Sequence, residues 1–192
     1  MKMSRTLLRT TLRTTLLATA VTLTFAAHAA VLKTDPAKSY VSATFKQMNV
    51  PIEDKFKKFT AVIDYDAARP DASKATVDIE TASIDMGDPE YSKEVAKKEW
   101  FNAAQFPKAT FVSTSIKSAG AGKLTVAGTL TMKGKATPVT FPVTVTTSGG
   151  KQVFDGTLPI KRLTYNIGEG EWKATDMVAD DVLIKFHVVA GQ

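Results

Sequence analysis

The chain has 192 residues, an apolar fraction of 44% and no cysteine. It therefore forms no disulfide and offers no cysteine ligand to a metal, and its stability must come from a packed core. Its formal charge is +6, but four of its 25 basic residues precede position 14, where there is no acidic residue. The rest of the chain carries 21 basic and 19 acidic residues, a net charge of +2. This balance does not indicate the concentrated basic surface of a nucleic-acid-binding protein.

The amino terminus has the features of a secretory signal peptide. A basic segment precedes a mostly apolar run of twelve residues, 16–27, and Ala27 and Ala29 place small side chains where a signal peptidase reads them. The run is too short to span a bilayer comfortably, which disfavours a retained membrane anchor. We predict a signal peptide at residues 1–29, with cleavage after Ala30 as a near alternative, and one exported domain at residues 30–192.

Period-two alternation of apolar and polar residues predicts that the exported domain is mostly β-strand. The clearest example is residues 123–147, where apolar side chains alternate with threonines on both sides of a turn at Lys133-Gly134. Glycine-rich or proline-containing turns separate most of the other candidates. The eight predicted strands are residues 39–49, 57–65, 75–82, 109–116, 123–132, 137–147, 152–161 and 181–190.

Two segments interrupt the strands. Asp88 and Pro89 suit the first positions of a helix, which we predict to run through about Ala104. Residues 162–180 are irregular and contain aromatic residues and glycines. They form either a lid over an opening or a surface loop whose rings pack on the end of the sheet.

Many short strands with a single helix predict an all-β fold, an eight-stranded antiparallel barrel with one helical excursion between strands. An immunoglobulin-like sandwich is the main alternative, but it accounts less well for the helix and the late loop. A barrel of eight strands either fills its interior with side chains or holds one small ligand, and the sequence alone does not distinguish the two.

The residues that could perform chemistry are few. His187 is the one histidine beyond the leader, and its alternation with Phe186 places it on the outer face. Without a second histidine or a cysteine, the common nucleophilic and zinc sites cannot be assembled. The paired acids at positions 53–54, 169–171 and 180–181 lie at turns or loop ends, which favours solvation over catalysis or cation binding. We predict no catalytic residue, no metal site and no cofactor. Arg162 either binds an anionic head group or, as we favour, pairs with a loop carboxylate.

Five blocks of sequence carry a resemblance to a known family. They are VDIETASIDMGD at residues 77–88, EWFNAAQFPKATFVSTSI at 99–116, GTLTMKGKATPVTFPV at 128–143, LPIKRLTYNIGEGEW at 158–172 and ADDVLIKFHVVA at 179–190. In this order they resemble the YceI family, lipocalin-like periplasmic proteins described as polyisoprenoid-binding. The resemblance implies a barrel with a long apolar tunnel, a location in the periplasm and no established enzymatic activity. Gln47, Asn49 and Asp54 stand where many members have His or Gly.

On this basis we expect a non-enzymatic binding protein that holds a polyisoprenoid, a quinone-type lipid or another long-chain amphiphile for transport, storage or sequestration, lipophilic antibiotics included. The head group would lie near Arg162 or Gln47. No nucleic acid partner and no stable membrane insertion are expected, and the oligomeric state is left open. The alternatives are a stress-related interaction protein with a filled barrel and, less favoured, a lipid-modifying enzyme. The expected ligand-binding residues are Phe59, Ile84, Met86, Trp100, Phe101, Phe111, Leu130, Met132, Phe141, Ile160, Arg162 and Phe186.

Overall fold

Antiparallel strands make up most of the computed structural model, which describes residues 30–191. The predicted signal peptide lies outside these residues. One α-helix, α1 (Pro89–Val95), and short 3-10 turns at Pro70–Ala72, Thr81–Ser83, Arg162–Tyr165 and Gly170–Lys173 complete the regular structure. The strands are β1 (Ala30–Thr34), β2 (Tyr40–Gln47), β3 (Val50–Phe56), β4 (Phe59–Tyr65), β5 (Lys74–Glu80), β6 (Ile84–Asp85), β7 (Lys108–Ser118), β8 (Lys123–Met132), β9 (Lys135–Ser148), β10 (Lys151–Lys161) and β11 (Val178–Gly191).

The sheet closes on itself because β11 has hydrogen-bonded neighbours on both edges. It pairs with β10 on one side, and with β2 and then β1 on the other. Since β1 and β2 follow the same edge of β11, they form one interrupted strand of the barrel. In the same way, β3 pairs with β2 and β4 pairs with β1, so β3 and β4 together form the next strand of the barrel. The result is a closed barrel of eight antiparallel strands, as the sequence predicted, and not a sandwich.

Three strand segments were missing from the prediction, which began its first strand at position 39 and its second at position 57. The structure adds β1, the whole of β3 and the two-residue β6. The alternation of β3 is obscured because Pro51 and three consecutive charged residues interrupt it and because Asp54 occupies an inward position. The two-residue turn before β3 has both residues in the left-handed region, Met48 at φ 47° and Asn49 at φ 66°. Asn tolerates this conformation better than most residues, which supports the hairpin without a glycine.

The helix is shorter than predicted. Asp88 caps it as expected, since its Oδ1 accepts a hydrogen bond of 2.7 Å from the backbone N–H of Glu90. However, α1 ends at Val95 and not near Ala104. The chain continues as consecutive turns, and Asn102 adopts a left-handed φ of 48°. A left-handed residue cannot continue a right-handed helix, so the apolar residues beyond Val95 reach the barrel from turns. No helix within residues 30–191 has the length and apolar character needed to cross a membrane.

Aromatic rings pack against one another in the middle of the barrel. The ring centroids of Phe111 and Phe141 are 5.3 Å apart, and those of Phe141 and Phe186 are 5.7 Å apart, with both pairs in edge-to-face geometry. Two glycines in the wall make room for these rings. A Cβ atom at Gly128 would overlap the Phe111 ring, and one at Gly156 would overlap the Phe186 ring. The glycines therefore allow bulky rings to lie flat against the strands.

We expect Gly156→Ala to lower the free energy of unfolding by about 1–3 kcal/mol, because Phe186 must leave its place against β10. Urea denaturation of the purified domain measures this. Gly191→Ala is the matched control, since its Cβ would meet only the flexible side chain of Lys151, at 3.1 Å. An equal effect of the two substitutions would refute the packing role of Gly156.

Candidate functional site

An apolar cavity lies inside one end of the barrel, and we call it the end chamber. Its volume is about 330 Å³, at the lower end of the ~300–1,000 Å³ typical of small-molecule sites. Apolar side chains from the barrel wall, α1, the turns after α1 and the loop after β10 surround it. Among the lining residues that the list of expected ligand-binding residues did not include are Ile52, Phe56, Val95, Ile167 and Trp172.

A smaller cavity of about 120 Å³ continues along the barrel axis, and we call it the inner chamber. The two chambers are adjacent because they share the lining residues Val41, Ile79, Leu130 and Ile184. Apart from Ser73 and the hydroxyl group of Tyr65, the residues that line the inner chamber present apolar groups. The barrel interior is thus neither an open pore nor completely filled.

The structure brings most of the predicted ligand-binding residues to these two chambers. Those that line the end chamber are Ile84, Met86, Trp100, Phe101, Leu130, Met132, Ile160 and Arg162. Those that line the inner chamber are Phe111, Leu130, Phe141 and Phe186. Phe59 borders neither chamber; it packs against the core and faces an outer groove. Ile52 and Phe56 were missed because β3 was missed, although their even spacing on one strand would have identified them as inward residues.

Arg162 is the best-connected side chain of the site. It is only 2% exposed, and its guanidinium donates to six backbone carbonyl oxygens. They belong to Ile167 (2.8 Å), Gly168 (3.1 Å), Trp172 (2.8 Å), Ala174 (3.2 Å), Val178 (2.9 Å) and Ala179 (3.1 Å). The expected pairing with a loop carboxylate is therefore wrong: the partners are carbonyls, and Asp180 accepts instead from the backbone N–H of Leu163, at 3.0 Å. Burial lowers the pKa of Arg162, an effect partly offset by the charge of Asp180.

Three of the six carbonyl partners of Arg162 belong to residues that line the end chamber. Ile167, Trp172 and Val178 line it directly. The guanidinium carbon lies 5.8 Å from the centre of the Trp100 ring, which in turn lies 5.5 Å from that of Trp172. The N–H groups of the guanidinium are thus all engaged by backbone carbonyls of residues 167–179. A free head group would have to displace carbonyls to reach Arg162.

Few other polar atoms face the end chamber. Gln47, Tyr91 and Glu94 line it, and so does Trp100, whose indole N–H is buried and has no hydrogen-bond partner within residues 30–191. An unpaired buried donor costs about 1–3 kcal/mol. The described residues contain no group of three or more His, Cys, Asp or Glu side chains placed to hold a metal ion.

We expect Arg162→Lys to lower the free energy of unfolding by at least about 3 kcal/mol, because an ammonium cannot satisfy six carbonyls and hydrogen bonds to a charged group are worth ~1.5–3 kcal/mol each. The fluorescence of Trp100 and Trp172, which pack beside the guanidinium, should report the loosened loop. Arg69→Lys in an exposed turn is the control, with an expected change within about 0.5 kcal/mol. Similar losses in both variants would contradict the organising role of Arg162.

The buried carboxyl group of Asp54 should make the stability of the folded protein depend on pH. It is 6% exposed, and its Oδ2 has no hydrogen-bond partner within the described residues. Burial, and next the nearby Asp85, raise its pKa above 3.8. The folded state therefore binds this proton more tightly than the unfolded state, and stability is lost as pH rises from 3.8 through the folded-state pKa. We expect Asp54→Asn to be more stable than the parent at pH 7 and the advantage to disappear below about pH 4. Thermal unfolding of the two proteins across this pH range is the measurement. A stability advantage of Asp54→Asn that stays constant with pH would contradict the raised pKa of Asp54.

Comparison with known proteins gives consistent matches. The structure of Burkholderia cenocepacia BcnA is 54% identical, with a TM-score of 0.79, and the alignment covers 81% of this chain and 98% of that one. The Campylobacter jejuni YceI protein is 23% identical, with a TM-score of 0.67 over 72% of this chain and 84% of its own. A polyisoprenoid-binding domain from Saccharophagus degradans is 16% identical, with a TM-score of 0.69 over 85% and 98%. At such identities these last two show the fold alone.

Sequence relatives extend the comparison. The UPF0312 protein of Pseudomonas putida strain F1 is 41% identical over 98 residues, so the matched part of the chain spans about half the length of this curated relative, 51%. The family model described as the YceI-like domain matches residues 32–190. That match runs from β1 to β11 and confirms the resemblance noted in the sequence. The chain therefore belongs to the family of YceI-like domains.

Proposed function

We propose that the chain binds one long-chain lipophilic molecule inside its barrel. The observation that carries the proposal is the end chamber, an apolar space of about 330 Å³ that adjoins a second apolar space deeper in the barrel. A well-packed core leaves few voids larger than a water molecule. Space on this scale, lined by aromatic and aliphatic side chains, suits an apolar chain better than water.

The hydrophobic effect supplies the binding energy in this proposal. Each methylene transferred from water into the chamber contributes roughly 0.8 kcal/mol. Part of this gain is offset by the lost freedom of the ligand. Affinity should thus rise with chain length until both chambers are filled.

The relatives support the same chemistry. The Saccharophagus degradans domain with this fold is described as polyisoprenoid-binding. Separately, residues 1–29 of this chain have the sequence features of an exported protein. We propose a periplasmic carrier or scavenger, with isoprenoids, quinone-type lipids and lipophilic antibiotics as candidate ligands. A filled barrel that acts through its surface is disfavoured by the two chambers. A lipid-modifying enzyme is disfavoured by the absence, within the described residues, of a histidine or paired acids in the end chamber.

Mass spectrometry of the organic extract from the purified, processed protein tests the proposal. We expect a stoichiometric long-chain lipid, either as isolated or after incubation with membrane lipids. An extract that remains empty after both treatments would refute binding and favour the surface-acting alternative.

Filling the chamber gives an independent test. Ala43 faces the end chamber from β2, and we expect Ala43→Phe to reduce the bound lipid at least about tenfold, since a 1.4 kcal/mol loss is sufficient for that factor. Ala127→Phe is the control, because Ala127 alternates with the inward residues of β8 and faces outward. Binding that is unchanged in Ala43→Phe, or lost equally in both variants, would count against a ligand in this chamber.

A further inference from the structure

A groove on the outside of the barrel is rich in lysine. It lies where the wall is interrupted, between β1 and β2 on one strand of the barrel and between β3 and β4 on the next. Three acidic residues, Asp78, Glu80 and Asp85, also line it. The lysines that line it are Lys38, Lys55, Lys57, Lys58 and Lys108.

The acids of the groove are already paired. Lys57 lies 2.9 Å from Asp85 and Lys108 lies 3.1 Å from Asp78, measured from the ammonium nitrogen to a carboxylate oxygen. The corresponding distance from Lys58 to Glu80 is 3.5 Å. Lys38 and Lys55 form no ion pair within residues 30–191, although the charge of Lys38 acts on Asp35 and that of Lys55 on Glu53. Those two carboxylates are themselves paired, with Lys151 and Lys185. The residues that line the groove thus carry two more positive than negative charges.

A stack of side chains positions one of these two lysines. The ammonium of Lys55 lies 5.1 Å from the centre of the Tyr40 ring, a favourable cation–π arrangement. Tyr40 stacks on His187 with 5.6 Å between ring centroids. Nδ1 of His187 is 2.6 Å from Oδ1 of Asp155, which holds the imidazole in place. His187 thus lies on the outer face, as its alternation predicted, and supports the groove.

The groove borders the end chamber through a single aromatic residue. Phe56, the last residue of β3, lines both spaces. On the chamber side its ring meets that of Phe101 edge-on, with 6.1 Å between centroids. An amphiphile whose tail passes beside Phe56 would have its head among the lysines. The cation that lines the chamber itself, Arg162, has its donors engaged by the loop carbonyls.

We propose that this lysine groove is the binding site for the anionic head group, a phosphate or a carboxylate, of the lipid whose tail occupies the end chamber. The inference rests on the proposed function and adds the charge of the ligand to it. Lys38 and Lys55 supply the two positive charges by which the lysines of the groove outnumber its acids. Because the groove is exposed to solvent, the attraction is screened by salt.

The test compares three ligands that share one tail: dodecyl phosphate, dodecanoate and dodecanol. Their affinities for the delipidated, processed protein are measured by displacement of a fluorescent apolar probe at pH 8 and low salt. We expect the two anions to bind about tenfold more tightly than the alcohol, a difference of ~1.4 kcal/mol. In the double variant Lys38→Gln/Lys55→Gln this preference should fall to less than about threefold, which leaves a difference of ~0.6 kcal/mol in binding free energy. The affinity for dodecanol should not change.

The matched control is Lys117→Gln/Lys123→Gln, which removes the same two charges at exposed positions of β7 and β8 that do not line the groove. It should keep the preference for anions. Equal binding of the three ligands by the parent, or equal effects of the two double variants, would overturn the groove assignment while leaving the proposed function intact. Binding of none of the three would refute the proposed function itself.

Inorganic phosphate distinguishes the two sources of the anion. If the groove serves a lipid head group, millimolar phosphate leaves dodecanol binding unchanged and competes weakly with dodecyl phosphate. Tight phosphate binding that is indifferent to the presence of dodecanol would overturn the head-group assignment in favour of a site for the free anion.

Discussion

Closure of the sheet through β11 is the constraint on which the rest of the structure depends. Both edges of this strand are paired, by β10 along its length and by β2 and β1 in succession. A closed sheet has no free edge and only one inside. The alternating apolar residues of every strand are therefore directed to a common interior, whose width permits both packed aromatic rings and empty space.

The end chamber depends on a second, polar interaction. Arg162 is buried at the end of β10, and its hydrogen bonds go to the carbonyls of the loop that follows. A buried charge is tolerated only when its donors are satisfied. Here the guanidinium acts as a template around which the loop folds, and the loop in turn places Trp172 against Trp100 over the chamber. The residue that looks most like a ligand for an anion is thus occupied in building the wall.

Polarity is divided between two neighbouring spaces. The chambers inside the barrel are apolar, whereas the groove outside carries lysines, and Phe56 lies between them. This division matches the two parts of an amphiphile. The groove lies at the interruptions between β1 and β2 and between β3 and β4, where Phe56 borders both spaces.

The sequence by itself determined the fold class, most of the strands and most of the inward residues, because alternation and turn chemistry are local properties. It also determined the Asp88 cap and the outward position of His187. Only the tertiary structure decided that β3 is a strand, since its charged residues conceal the alternation, and that the helix stops at Val95. The partners of Arg162 and the space between the Phe rings and the loop were likewise beyond the sequence. They depend on distances between segments far apart in the chain, which no local pattern encodes.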